Sequence, residues 1–184
     1  MAAELKVSID TRGFQKLVSV LERAGHNIKP ALRRAINHTG DKARTQIGRV
    51  LVKQTGLKYG KVRQALHTAP ASNAMLVYRI IAHGSYMSLK EFGPRQTKRG
   101  VSAAPWGKRH LFPHAFIAPS LGGHVFVRKG KERFPIHKLF GPAIPAEMVK
   151  AESKAAFERT VATELPARLV IEVNAILAGR APGG

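Results

Sequence analysis

The sequence predicts an α+β protein: N-terminal helices including one long basic helix, a small mostly antiparallel sheet with a basic loop, and a long C-terminal helix. Three observations carry this. Apolar residues recur at helical spacing over two long stretches, about 29–53 and 145–177. Short β-branched and aromatic runs bounded by Gly and Pro lie between them. There is neither βαβ alternation nor an internal repeat.

In chain order, Leu5 to Ile9 alternates, with Leu5, Val7 and Ile9 on one side, and predicts a short strand. Asp10 and Thr11 then offer an N-cap for a helix over 12–24, whose apolar face is Phe14, Leu17, Val18 and Leu21. Asn27 and Pro30 mark the start of the long basic helix. Leu32, Ile36, Thr39, Ala43, Ile47, Val50 and Leu51 form its inward stripe, while Arg33, Arg34, Lys42, Arg44, Arg49 and Lys53 occupy its other sides. At 1.5 Å per residue it is roughly 37 Å long. Gly40 and Gly48 are expected to weaken it, and Thr55-Gly56 to end it. A short helix is expected over 61–67, and strands over 75–82, 88–92, 115–118 and 125–127, with Gly122-Gly123 as a turn. The stretch from Phe92 to Trp106 reads as a basic loop, and Arg128 to Arg133 as a second exposed turn. Prolines make 134–145 an extended, irregular segment. The final helix, 145–177, has Ile144, Met148, Ala151, Ala155, Ala162, Leu165, Leu169, Val173 and Ile176 as its stripe, and Pro166 is expected to kink or split it. Residues 1–178 are expected to form one domain and 179–184 a flexible tail.

The charge balance narrows the partners. With 31 Lys and Arg against 11 Asp and Glu, the 184-residue chain carries a formal +20. Such a field favours polyanions. No cysteine is present, so disulfides, thiolate metal sites and a cysteine nucleophile are excluded. No apolar run approaches a membrane span, and the first residues lack the apolar core of a secretory leader. No membrane partner is expected.

Enzyme chemistry has little to work with. Asp10 and Asp41 are the only aspartates, and both suit caps or solvated helix faces. Glu91 is the one acid beside the basic stretch, and it reads as an ion-pair partner rather than a general base. Two-metal chemistry requires clustered carboxylates, which the sequence does not show. The eight histidines are scattered. His110 and His114 have helical metal spacing, but Pro113 lies between them. Neither a metal nor a cofactor is expected. The basic residues point to non-specific contact with phosphates. Trp106, Phe112 and Phe116 are available to stack on bases, although as core under the loop they need no such role. No sequence-reading motif is present.

The ordered segments Glu91-Phe-Gly-Pro-Arg-Gln-Thr-Lys-Arg-Gly-Val-Ser-Ala, Trp106-Gly, Phe112-Pro-His-Ala-Phe-Ile-Ala, Gly130-Lys-Glu-Arg-Phe-Pro-Ile and Leu139-Phe-Gly-Pro-Ala-Ile-Pro resemble the phage and prophage minor tail protein Z family. Val7-Ser-Ile-Asp-Thr-Arg-Gly-Phe, Ala31-Leu-Arg-Arg-Ala-Ile-Asn-His-Thr and Thr55-Gly-Leu agree with it. The resemblance implies a tail completion protein of the virion, acting at the head-proximal end of a long tail and assembled in the host cytoplasm. Its implied partners are its own copies in a ring, expected to be of six, the tail terminator and head connector proteins, and double-stranded DNA held without sequence preference. It brings no catalytic residue. Arg95, Lys98, Arg99, Lys108, Arg109, Arg128, Lys129 and Lys131 are the candidate contacts with DNA in a lumen or with a partner. Phe134, Pro135, Ile136, Leu139, Phe140, Pro142 and Ile144 are the candidate arm laid on a neighbouring subunit. The alternative is a free, non-specific DNA-binding accessory protein.

Overall fold

The structure, a computed structural model, describes residues 1–8, 19, 22 and 27–178. Strand β1 (Ala2–Ser8) begins three residues before the expected strand. Of the helix expected over 12–24, only Ser19 and Glu22 fall among the described residues, and both are helical; the stretch 179–184, expected as a tail, lies outside them, as does Asp10.

Helix α1 (Lys29–Thr55) follows the expected stripe closely. Leu32, Ile36, Ala43, Ile47 and Leu51 are buried. Its cap position is Ile28, one residue later than expected, and the Lys29 N–H donates to Asn27 Oδ1 at 3.2 Å. Gly56 ends it in the left-handed conformation (φ 75), donating its N–H to the Val52 carbonyl. The two interior glycines are close-packing positions rather than weak points. A Cβ at Gly40 would run into the Tyr78 ring, and one at Gly48 would lie 3.2 Å from Tyr59. Gly40→Ala is therefore expected to lower stability by about 1–3 kcal/mol through overpacking, outweighing the helix-propensity gain of about 1 kcal/mol. The shift in denaturation midpoint measures it.

The short helix is α2 (Tyr59–Ala65), and it ends before His67, because the chain turns straight into strand β2 (Leu66–Ala69). Strand β3 (Val77–His83) is the centre of a three-stranded antiparallel sheet, ordered β1-β3-β2. It buries Tyr78, Ile80 and Ala82 on alternate positions. The Tyr78 hydroxyl donates to Asp41 Oδ1 at 2.6 Å, tying β3 to α1. Burial, then this hydrogen bond, raises the phenol's pKa to about 12. Asp41 is thus an acceptor for a buried tyrosine as well as a helix-face residue.

The β region is not one sheet but several. Strand β4 (Tyr86–Ser88) pairs with β11 (Phe140–Ala143), and the strand expected over 88–92 is a 3₁₀ turn at Leu89–Phe92, with Ser88 Oγ accepting from the Lys90 N–H. The expected basic loop is a sheet of β5 (Arg95–Thr97), β6 (Gly100–Ala103) and β7 (His110–Pro113). Strands β8 (Ala115–Ala118), β9 (His124–Arg128) and β10 (Ile136–Lys138) make a third antiparallel sheet, with the turn at Gly122-Gly123 as expected. Prolines did not keep 134–145 irregular. Pro142 is buried in β11, a strand with one paired neighbour, where its missing N–H costs no ladder bond.

The last helix is two. Helix α3 (Ile144–Met148) stops at Val149–Lys150, and α4 (Ala151–Leu177) then runs unbroken through Pro166. Pro166 is exposed, so water reaches the carbonyl that it leaves unbonded. The inward row of α4 is Ser153, Phe157, Val161, Leu165, Leu169 and Val173, whereas Ala151, Ala155 and Ala162 are exposed. The strict spacing of four follows a ridge along which helices pack. Helices α1 and α4 are antiparallel, joined by Arg34–Glu172, Lys42–Glu164 and the Ser153 hydroxyl donating to Gln54. Buried side chains of α1, α2, β3, β6, β9, α3 and α4 join in one hydrophobic cluster.

Candidate nucleic-acid interface

The fold presents the basic residues at the two ends of one hairpin. Strands β5 and β6 are joined by the two-residue turn Lys98-Arg99, with Thr97 opposite Gly100. Gly100 has φ 145, and a Cβ there would run into the Phe112 carbonyl of β7, so only glycine fits. The Arg99 carbonyl accepts from the His114 N–H at 3.2 Å. His114 leads into β8, whose Ala115 faces Val127, the residue before Arg128. The hairpin tip therefore lies at the same end of the β region as Arg128, Lys129 and Lys131. These five cations, all exposed, are brought together across about 30 residues of sequence.

Gln96 fixes the hairpin against β8. Its amide nitrogen lies 3.2 Å from the Gly100 carbonyl, and its Oε1 accepts from the Ile117 N–H at 2.9 Å. Gln96→Ala is expected to free the hairpin locally, and faster hydrogen exchange at the Ile117 amide measures it. Arg128 lies 4.5 Å from the Phe116 ring centre, a cation–π contact that orients its guanidinium.

The other end of the hairpin holds Arg95, Lys108 and Arg109. Arg109 has a structural part: its guanidinium donates to the Ser102 and Gly93 carbonyls at 3.1 and 3.3 Å, bracing the strand ends. Trp106 sits beside it with φ 56, a conformation that costs a non-glycine residue roughly 1–3 kcal/mol. Its indole N–H donates to buried Glu147 at 3.1 Å. Trp106 is thus half exposed and pinned rather than core, and Phe112 and Phe116 are half-buried. No row of aromatic faces stands free for stacking among these three.

Electrostatically the patch carries a large excess of cations over acids. Among the described residues, no carboxylate lies within ion-pair distance of Arg95, Lys98, Arg99, Lys108, Lys129 or Lys131. Glu132, exposed between Lys131 and Arg133, is the one acid in the patch and makes no ion pair among the described residues, whereas Glu91 pairs with Lys61 at 3.4 Å and Glu147 with Lys150 at 2.7 Å. Desolvation, then nearby Lys138 and Lys90, lowers the His124 pKa and so disfavours its charged form.

A second cationic site escaped the sequence reading. A cleft of about 430 Å³ on α1, α2 and β2 is lined by Arg44, Arg63, Gln64 and His67, with no carboxylate in its wall. Arg44 is held there by donating to the Leu66 carbonyl at 3.2 Å. Only the turn from helix into strand after Ala65 brings residues 44, 63 and 67 together.

Most of the candidate arm residues are paired or packed within the chain. Ile136 pairs with Arg128, Phe140 with Ser88, and Pro142 and Ile144 are buried, while Leu139 is half-buried. Phe134, Pro135 and Phe140 remain exposed, with Arg133 and Lys138 over the two phenyl rings.

This is a scaffold that, among the described residues, presents cations on short, braced strands. Prophage minor tail protein Z describes the family model that matches residues 11–179, most of the chain, and the chain belongs to that family. It is thus a structural protein of phage tails. No curated protein and no solved structure matches it. Among the described residues no helix is long and apolar enough to cross a membrane.

Proposed function

We propose that the protein completes the head-proximal end of a long phage tail and allows the tail to join a filled head. Its copies form a ring around the DNA passage, six being the number that the family resemblance implies, against the tail terminator and head connector proteins. The observation that carries this reading is the set of exposed cations without acidic partners on a braced hairpin. Phosphate contact through such side chains holds DNA without reading it and lets every segment slide past. The fixed hairpin keeps the charges in one place on each copy. Phe134, Pro135 and Phe140 are the part of the arm left to touch a neighbour.

Electron microscopy of a lysate from phage lacking the gene tests this. Filled heads beside unjoined tails of normal length are expected. Normal infectious virions with impaired replication or packaging would instead favour the accessory DNA-binding reading, for which the formal +20 is the supporting observation.

A further inference from the structure

The outward side of α4 is unlike the rest of this molecule. From Ala162 to the helix end, its exposed side chains carry no charge. Of the three charged residues of that half, Glu164 and Glu172 reach Lys42 and Arg34 of α1, and Arg168 pairs along the helix with Glu172. Val170, Ile171 and Leu177 are 60%, 55% and 57% exposed. Thr163, Ala167, Val170, Asn174 and Leu177 follow the alternating four–three spacing of a seam that packs on another helix or flat surface. Farther back, the exposed charges of α4, Glu152 and Glu158 against Lys154 and Arg159, cancel. A mostly apolar, uncharged stripe on a chain of formal +20 has the composition of an interface centre rather than of a solvated face.

We infer that this stripe of α4, centred on Val170, docks a second copy of this chain. The charge distribution selects the occupant. An acidic partner would gain from the cationic surfaces and nothing from this one. Two copies of the same +20 chain repel across those surfaces, and they meet at least electrostatic cost where neither sign is exposed. The seam spans roughly 22 Å of helix. One helix stripe is smaller than the roughly 800 Å² per partner that stable complexes bury. It therefore suits a contact repeated around a closed ring, where every copy is held on two sides. The inference rests on the ring in the proposed function and names one face of its interface.

The chain has no cysteine, so Val170→Cys gives one attachment point for a benzophenone maleimide crosslinker. The labelled full-length protein is illuminated both purified at high concentration and inside particles completed with it in an extract lacking the natural protein. A covalent product of twice the chain's mass is expected. A crosslink only to another protein, or no product in either sample, overturns the inference. Val170→Glu with Ile171→Glu alters solvent-facing positions alone. This variant is expected to keep its circular dichroism and melting temperature but lose self-association and incorporation into particles; normal self-association would overturn the inference. Self-crosslinking with heads and tails that join without the protein would leave the interface standing and remove the proposed function. Joining that requires the protein, with a crosslink only to another component, would do the reverse.

Discussion

Glu172→Gln is expected to lower stability by about 3 kcal/mol, the low end of the cost of breaking a buried ion pair. Glu172 retains 6% of its side-chain exposure and holds two arginines: Arg34 Nε at 2.5 Å from Oε2, and Arg168 Nη2 at 2.8 Å from Oε1. The amide keeps the shape and removes the charge, leaving two guanidiniums facing each other with no counterion. Arg34 and Arg168 stay 23% and 33% exposed, so water relieves part of the penalty, which sets the estimate at the low end. The effect should also be local in origin. Arg34 is on α1 and Glu172 on α4, so the loss falls on the long helix pair. Glu164→Gln is the control. Its pair with Lys42 at 2.6 Å bridges the same helices, but the side chains are 48% and 32% exposed. Such a pair contributes about 0–1 kcal/mol. Denaturant midpoints of the two variants, with unchanged slopes, measure the difference; equal losses would show that burial of Glu172 does not govern its worth.

Glu172 also shows where sequence reading stops. Periodicity located α1 to within two residues, because its inward stripe is strongly apolar and Gly56 follows it. The same reasoning located α4 and put Leu165, Leu169 and Val173 inside correctly, but it also took the exposed Ala151, Ala155 and Ala162 for core. Alanine is at home in either setting, so it carries little information about facing. The true inner row includes Ser153, and buried Glu172 flanks it, each made tolerable by a partner far along the chain, Gln54 and Arg34. A single sequence shows no such pairing. The helix does not split at Pro166 for a related reason: a proline disrupts a buried turn more than a solvated one, and exposure is a tertiary property. In the β region, charge density at Arg95, Lys98 and Arg99 suggested a loop. Gly100 is the residue that admits the hairpin, through its approach to the Phe112 carbonyl. The candidate cations were legible as a list from composition. Their division between two hairpin ends, the bracing duty of Arg109, and the cleft at Arg44 and Arg63 all depend on strand pairing.

Reversing three charges at the hairpin tip end, Lys98→Glu, Arg99→Glu and Lys129→Glu, is expected to abolish most production of infectious particles while leaving the fold intact. All three side chains are exposed and, among the described residues, without an acidic partner. Solvent-facing changes of this kind move stability by about 0.5 kcal/mol or less. Against duplex DNA, losing three phosphate contacts should flatten the dependence of log affinity on log salt by about 3. The loss should be the same for every DNA sequence, because Lys and Arg contacts to phosphates carry no sequence information. The two readouts separate the functional readings. If particles fail to join and the salt slope falls, the hairpin tip holds DNA at the head–tail junction. If joining fails while the slope stays the same, these cations meet an acidic protein surface, and the DNA-facing site is to be sought at Arg44 and Arg63. If the slope falls and infectious particles form normally, binding in solution is incidental to the tail. Arg109→Glu makes the contrast: it removes the braces to Ser102 and Gly93, so its first effect is a melting temperature below that of the triple variant.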